Sequence, residues 1–218
     1  MKRFISLIVF SVFLMTTVIG QTLPYLKDPT FKPGEILKYK LRYGFISAAT
    51  GTLSVQESKY SFGINDAIHL SAFGQTSGAF SKFYTVKNQY DSYIDQSNFL
   101  PILYTENIRE NNYRRVEYAT FDHKTKKVKG KKGTFTSPTQ QTFDLVSAYY
   151  FSRNLDFTGL KSGDKFKITY FLNDEVAQLG VEYIGVEKVK SVLGELECIK
   201  LSPEISPGRI FKKSSRLY

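Results

Sequence analysis

The sequence has no tryptophan, one cysteine and two histidines in 218 residues. A lone cysteine cannot close an internal disulfide, so the fold must hold by its core. Cys198 sits in "LGELECIKL", which reads as a strand, where the role of a small buried apolar residue suits it better than that of a nucleophile. His69 lies inside "AIHLSAF" and His123 opens "DHKTKK"; neither has a neighbour at ligand spacing, which speaks against a histidine-held zinc. There is no nucleophile-elbow sequence for a Ser-His-Asp triad and no glycine-rich phosphate loop. No metal, cofactor or catalytic residue follows from this inventory. Past residue 20 no apolar run is long enough to cross a membrane as a helix.

Acidic residues are also few, 20 against 30 Lys and Arg, for a net charge of +10. The first twenty residues bear on which anionic partner that charge would meet. Lys2 and Arg3 precede an apolar run from Phe4 to Ile19, and Val18-Ile19-Gly20 offers slim residues before a cleavage point. This is the layout of a secretory signal peptide, and it is shorter than the roughly 20 residues of a spanning helix. No cysteine stands near the cleavage point, which argues against a lipid-anchored mature end. The expectation is an exported protein of the periplasm or cell envelope, with residues 1–20 removed and 21–218 forming one β-rich domain. An exported basic chain is a poor partner for nucleic acid and a better one for anionic lipid, glycolipid or acidic polysaccharide.

Tyr and Phe together supply 33 residues, and they recur with a two-residue period. In "KYKLRYGFISAATGTLSV" (38–55), Tyr39, Leu41, Tyr43, Phe45, Leu53 and Val55 share one parity while Lys38, Lys40, Arg42, Thr50, Thr52 and Ser54 share the other. The same period marks 67–73, 83–95, 100–110, 113–121, 165–173, 181–189 and 196–202, with turn signals between. Such spacing predicts one antiparallel meander. The period breaks in "TFDLVSAYYFSRNLDF", where three- and four-residue spacing predicts a single helix over 144–154, capped by Thr142 or Asp144. The fold expected is mostly β, a strongly curved antiparallel sheet or partly open barrel wrapped around that helix. Ala48-Ala49-Thr50-Gly51 marks where the first hairpin bends, its aromatic parity facing inward.

Several stretches resemble a family of exported bacterial proteins known as DUF3108, a domain of unknown function. They are "FKPGEILKYKLRYGFISAATGTL", "FYTVKNQYDSYID", "LPILYTENIRENNYRRVEYATFD", "DLVSAYYFSRNLDF", "GDKFKITYF" and "GELECIKLSPEISPGRIF". The resemblance implies a largely β domain of the cell envelope and no particular activity. Members of the family usually continue past the "GRIF" stretch, which implies that a last strand or two is absent here and that "LECIKLS" is an open edge or pairs with "VEYIGVEKV" alone. A looser analogy, to envelope lipoprotein carriers that hold acyl chains in a curved sheet, rests on fold level only.

The densest polar constellation is "QYDSYID" followed by "TENIREN". On strands, Asp91, Tyr93 and Asp95 share a face, as do Glu106 and Glu110, with Arg109 opposite. They read either as a solvent-side ladder of cross-strand pairs or, with Tyr90, as a recognition patch at the mouth of the sheet. Tyrosines such as Tyr39, Tyr84, Tyr149 and Tyr150 suit an apolar cavity with scattered polar handles. "HKTKKVKGKKG" holds Lys124, Lys126, Lys127, Lys129, Lys131 and Lys132, read as a solvated hairpin tip or as a contact for anionic headgroups. Three functions stay open: binding of an elongated amphipathic ligand, a carbohydrate-active enzyme using paired carboxylates, and a structural protein with no ligand.

Overall fold

The structure is a computed structural model and describes residues 22–63, 67–191 and 194–204. The signal-peptide segment and the end of the chain after residue 204 lie outside the described residues. Eight strands form the first sheet: β1 (Ile36–Tyr43), β2 (Ile46–Glu57), β3 (Ala67–Thr76), β4 (Lys87–Asp95), β5 (Pro101–Glu110), β6 (Tyr113–Asp122), β7 (Lys127–Gly130) and β8 (Gly133–Thr136). They pair antiparallel in chain order, and β8 does not return to β1, so the sheet is not a closed barrel. The strand read from residue 83 begins at Lys87, because the 3-10 turn over 78–82 runs into a loop that makes only the isolated bridge Val86–Glu110 before the strand.

The expectation of one meander is corrected, because a second sheet follows. Its strands are β9 (Thr142–Phe143), β10 (Lys165–Leu172), β11 (Glu175–Ser191) and β12 (Gly194–Pro203), in the order β12-β11-β10-β9. After β8 the chain leaves the first sheet through buried Ser137, Thr139 and Gln141. The helix α1 (Leu145–Arg153) then carries it over, so that β10 lies parallel to β9. A helical crossover is what a parallel pair requires, and residue alternation cannot reveal it. Among the described residues β12 pairs only with β11, as read for "LECIKLS".

Of the two cap residues considered, Asp144 caps α1. Its Oδ1 accepts from the amides of Val146 (2.8 Å) and Ser147 (2.9 Å), while Ser147 Oγ accepts from the Asp144 amide at 3.0 Å. This reciprocal box satisfies amides that helix geometry leaves open. The helix buries Val146, Tyr150 and Phe151 against Val55, Ile68, Leu70 and Ile94 of the meander. A strap not foreseen from the sequence, residues 22–35, closes the same core with Leu23 and Phe31. It is tied down by the bridge Tyr25–Leu155 and by Arg153, whose guanidinium grips both oxygens of Glu35 at 2.6 and 2.8 Å.

The register of the first hairpin slips where small residues stand, between Leu41 and Arg42, leaving Ala48 as the extra residue of a bulge. Its aromatic parity does not face a closed core. Leu53 and Val55 reach the core, but Tyr39, Leu41 and Phe45 are exposed, Phe45 at 96 %. The reason is length. A nine-residue helix spans roughly 14 Å, whereas the 12 residues of β2 run roughly 40 Å, so much of the helix-facing side stays uncovered. The lysine stretch is likewise no single tip. Lys124 and Lys126 lie in the turn before β7, Lys127 and Lys129 on it, and Lys131 and Lys132 in the turn after it.

Candidate functional site

Directly opposed residues in antiparallel strands point to the same side, so the pairing registers show what lines the uncovered area. One row runs Tyr39, Gly51, Gly74 and Asn88 across β1 to β4. The β4–β5 register continues it to Ile108, which pairs with Arg115 on β6. Six strands at about 4.8 Å make this row roughly 24 Å long. The next row toward the helix is Leu53, Ala72, Tyr90, Glu106 and Glu117. A Cβ added at Gly74 would meet nothing within 4 Å, and one at Gly51 would touch only Tyr39 Cβ at 3.8 Å and Phe73 O at 3.9 Å. The two glycines therefore floor an open furrow. Above one end of it, the Tyr39 and Tyr149 hydroxyls meet at 3.2 Å. Tyr149 is raised above the ordinary phenol range, by burial first and then by that hydrogen bond.

At its other end the row runs into a pocket of about 210 Å³ between the sheets, lined by Tyr104, Glu106, Tyr113, Arg115, Asn173 and Asp174 among others. Glu106 is 4 % exposed there, with Arg115 Nη2 on Oε1 at 2.6 Å. Tyr104 donates its hydroxyl to Oε2 at 3.0 Å. Burial first, and then the Glu106 charge, push the Tyr104 phenol far above its ordinary range, so it stays a donor. Arg115 Nη1 reaches Asn173 Oδ1 at 2.9 Å, in the β10–β11 turn, where Asn173 and Asp174 both take the positive φ that a two-residue hairpin favours. The Nε of Arg115 is buried and meets no acceptor. An unanswered buried donor costs free energy unless something binds it.

The residues singled out by sequence divide between the two faces of the meander. Tyr90, Glu106 and Glu110 lie on the helix-facing side, since Tyr90 pairs with Glu106. Glu110 accepts from Asn88 Nδ2 at 2.7 Å and from the Tyr84 hydroxyl at 3.3 Å. Asp91, Tyr93, Asp95 and Arg109 are on the opposite side. There Asp91 holds His69 Nε2 at 2.8 Å, and Tyr93 stacks on the His69 ring at 4.5 Å. The Tyr93 phenol is pushed up to about 12, by burial first and then by Asp91 and Tyr60. Asp95, the last residue of β4, braces the following turn by accepting from the Ser97 amide at 2.8 Å, and Arg109 Nε reaches Asn107 at 3.2 Å.

Of the helix tyrosines, Tyr149 borders the furrow while Tyr150 is 0 % exposed in the core. Its ring lies 5.2 Å beneath the Arg153 guanidinium. His69 has a partner after all, one that strand pairing supplies and sequence spacing hides. His123 is a brace, its two ring nitrogens 2.6 and 2.7 Å from the carbonyls of Gln140 and Pro101. Sequence reasoning passed over Gly74, Tyr104, Arg115 and Asn173. A glycine inside a strand run, as in "SAFGQT", is the one signal that pointed here.

Fold and site together define a class: a mostly β protein, with two sheets and one helix among the described residues and an open small-residue furrow running into a polar pocket. The chain belongs to the family described as "Protein of unknown function (DUF3108)", whose model matches residues 38–218. Furrow and pocket, from Tyr39 to Asp174, lie within that span. No curated protein and no solved structure matches the chain.

Proposed function

We propose that this is an exported cell-envelope protein that binds, without catalysis, an elongated amphipathic ligand such as a lipid or glycolipid. The meander curves about its helix, and the apolar part of the ligand lies along the furrow over Gly51 and Gly74. Its polar end enters the pocket, where the Arg115 Nε donor meets an acceptor. Export rests on the basic, apolar and small pattern of residues 1–20. One observation carries the binding reading: Gly51 and Gly74 face each other across β2 and β3, with open space above Gly74 and no close contact above Gly51. A strand interior gains packing from side chains, and glycine there suits close approach of something else.

The enzymatic alternative finds less support. Glu106 has both oxygens engaged, by Arg115 and by Tyr104, an arrangement that a structural brace between strands and sheets also explains. A purely structural role accounts for the filled core beneath α1 but leaves the furrow unused.

Native mass spectrometry of the protein purified from its own envelope tests the proposal, with wild type and Gly74→Val side by side. Valine favours strands and has room at this position, so the variant should melt no lower than wild type yet lose a copurified adduct. Bare wild-type protein, or an adduct equally present in the variant, would sink the reading.

A further inference from the structure

In an up-and-down meander, alternate turns fall at the same end. The β1–β2 turn, the β3–β4 connection and the β5–β6 turn therefore sit together, and hydrogen bonds join them. The Ser77 amide donates to Ala48 O at 2.9 Å, and Thr85 and Asn111 exchange bonds of 2.8 Å. This end displays Phe45 at the first tip, 96 % exposed, and Phe83 at the second, 84 % exposed. Behind them Leu41, Arg42, Ala48 and Phe80 line an open apolar hollow of about 320 Å³. Among the described residues no protein surface covers these two phenylalanines at their turn tips.

Charge identifies the partner. Residues 36–56 and 76–90 contain Lys38, Lys40, Arg42, Lys82 and Lys87 and no Asp or Glu. Among the described residues none of the five makes an ion pair, the eight pairs formed lying elsewhere. Glu110, the carboxylate of the neighbouring β5 end, is taken up by Asn88 and Tyr84. Apolar tips ringed by unopposed cations match a surface that is apolar within and anionic at its face. We propose that this end of the meander docks on an anionic lipid bilayer, with Phe45 and Phe83 inserted at headgroup depth and Arg42 and Lys82 on the lipid phosphates. The Leu41–Phe80 hollow lies beside Tyr39, so the docked end also adjoins the furrow. The docking itself needs no ligand there.

The absence of tryptophan makes Phe45→Trp a single indole that can be excited apart from the tyrosines. Mixed with vesicles of equal parts phosphatidylglycerol and phosphatidylcholine, its fluorescence should shift to the blue, and the protein should float with the vesicles. Gln96→Trp, at the opposite end of the sheet, should not shift. Flotation should fall severalfold in Phe45→Ala/Phe83→Ala and vanish in Arg42→Glu/Lys82→Glu or on pure phosphatidylcholine. Gly74→Val should float like wild type, which separates this proposal from the furrow reading. No blue shift, or flotation undiminished by the charge reversal, overturns it. So does sedimentation as a dimer that Phe45→Ala/Phe83→Ala splits, because a second copy would then be what covers the tips.

Discussion

Asp144 is fully buried at the start of α1, where it accepts from two amides, from Ser147 Oγ and, at 2.6 Å, from the Ser92 hydroxyl. Burial raises its pKa above the ordinary carboxylate value, and the hydrogen bonds from Ser92, Ser147 and Val146 pull the other way. Burial wins, so the folded state holds the proton to higher pH than the unfolded chain does. The stability tied to that proton is complete below the ordinary carboxylate value and is lost as pH rises through the raised one. Asparagine keeps a capping oxygen and does not titrate. Asp144→Asn should therefore gain on wild type as pH rises past the ordinary carboxylate range, read by urea unfolding across a pH series. Asp144→Ala should cost about 1–3 kcal/mol, because it strands two amides and the Ser92 hydroxyl in a buried place. A wild type that instead gained on Asp144→Asn toward neutral pH would show that the carboxylate is charged and favoured there.

Among the elements, strands were legible because their period of two survives in the sequence, and the helix because it breaks that period. How far along its inner face the first hairpin is buried was not legible. Tyr39, Leu41 and Phe45 carry the pattern of a core face, yet the short helix meets Tyr39 through the Tyr149 hydroxyl and leaves Leu41 and Phe45 exposed. Strand pairing decided the rest. Asp91 and Glu106 looked like neighbours, but the β4–β5 register sets Tyr90, not Asp91, opposite Glu106. Two substitutions read this difference directly. Phe45→Ala should change unfolding free energy by no more than about 0.5 kcal/mol, as for an exposed side chain. Phe151→Ala, whose ring packs 4.4 Å from that of Phe143 in the core, should cost about 3–5 kcal/mol. Equal costs in chemical denaturation would mean that the first hairpin folds over its aromatics in solution.

At the scale of the whole molecule the question is how two sheets become one body. Their junction is Phe171 of β10, in ring contact with Phe121 at 6.4 Å and Phe135 at 5.4 Å. Arg115–Asn173 and Lys132–Asp174 flank it. Nothing in the alternation of "KFKITYFLN" says that it abandons the first sheet, because a strand of either sheet carries the same pattern. Gly130, within the lysine run, marks the contact. A methyl there would stand 2.6 Å from Asp174 Oδ1 and 2.8 Å from Phe171 Cζ. Alanine in place of a strand glycine ordinarily helps by about 0.4–1 kcal/mol where the backbone allows it. Here it must displace a packed ring, and Gly130→Ala should instead cost about 1–3 kcal/mol. Shortening the opposing ring with Phe171→Leu should make room for the methyl. The double variant should then be more stable than the two single effects predict, by more than the roughly 0.5 kcal/mol within which independent sites add. Thermal and urea unfolding of the four proteins measure that coupling. Strict additivity would mean that the β10–β11 hairpin does not rest on β7, and that the pocket around Arg115 has no fixed lid.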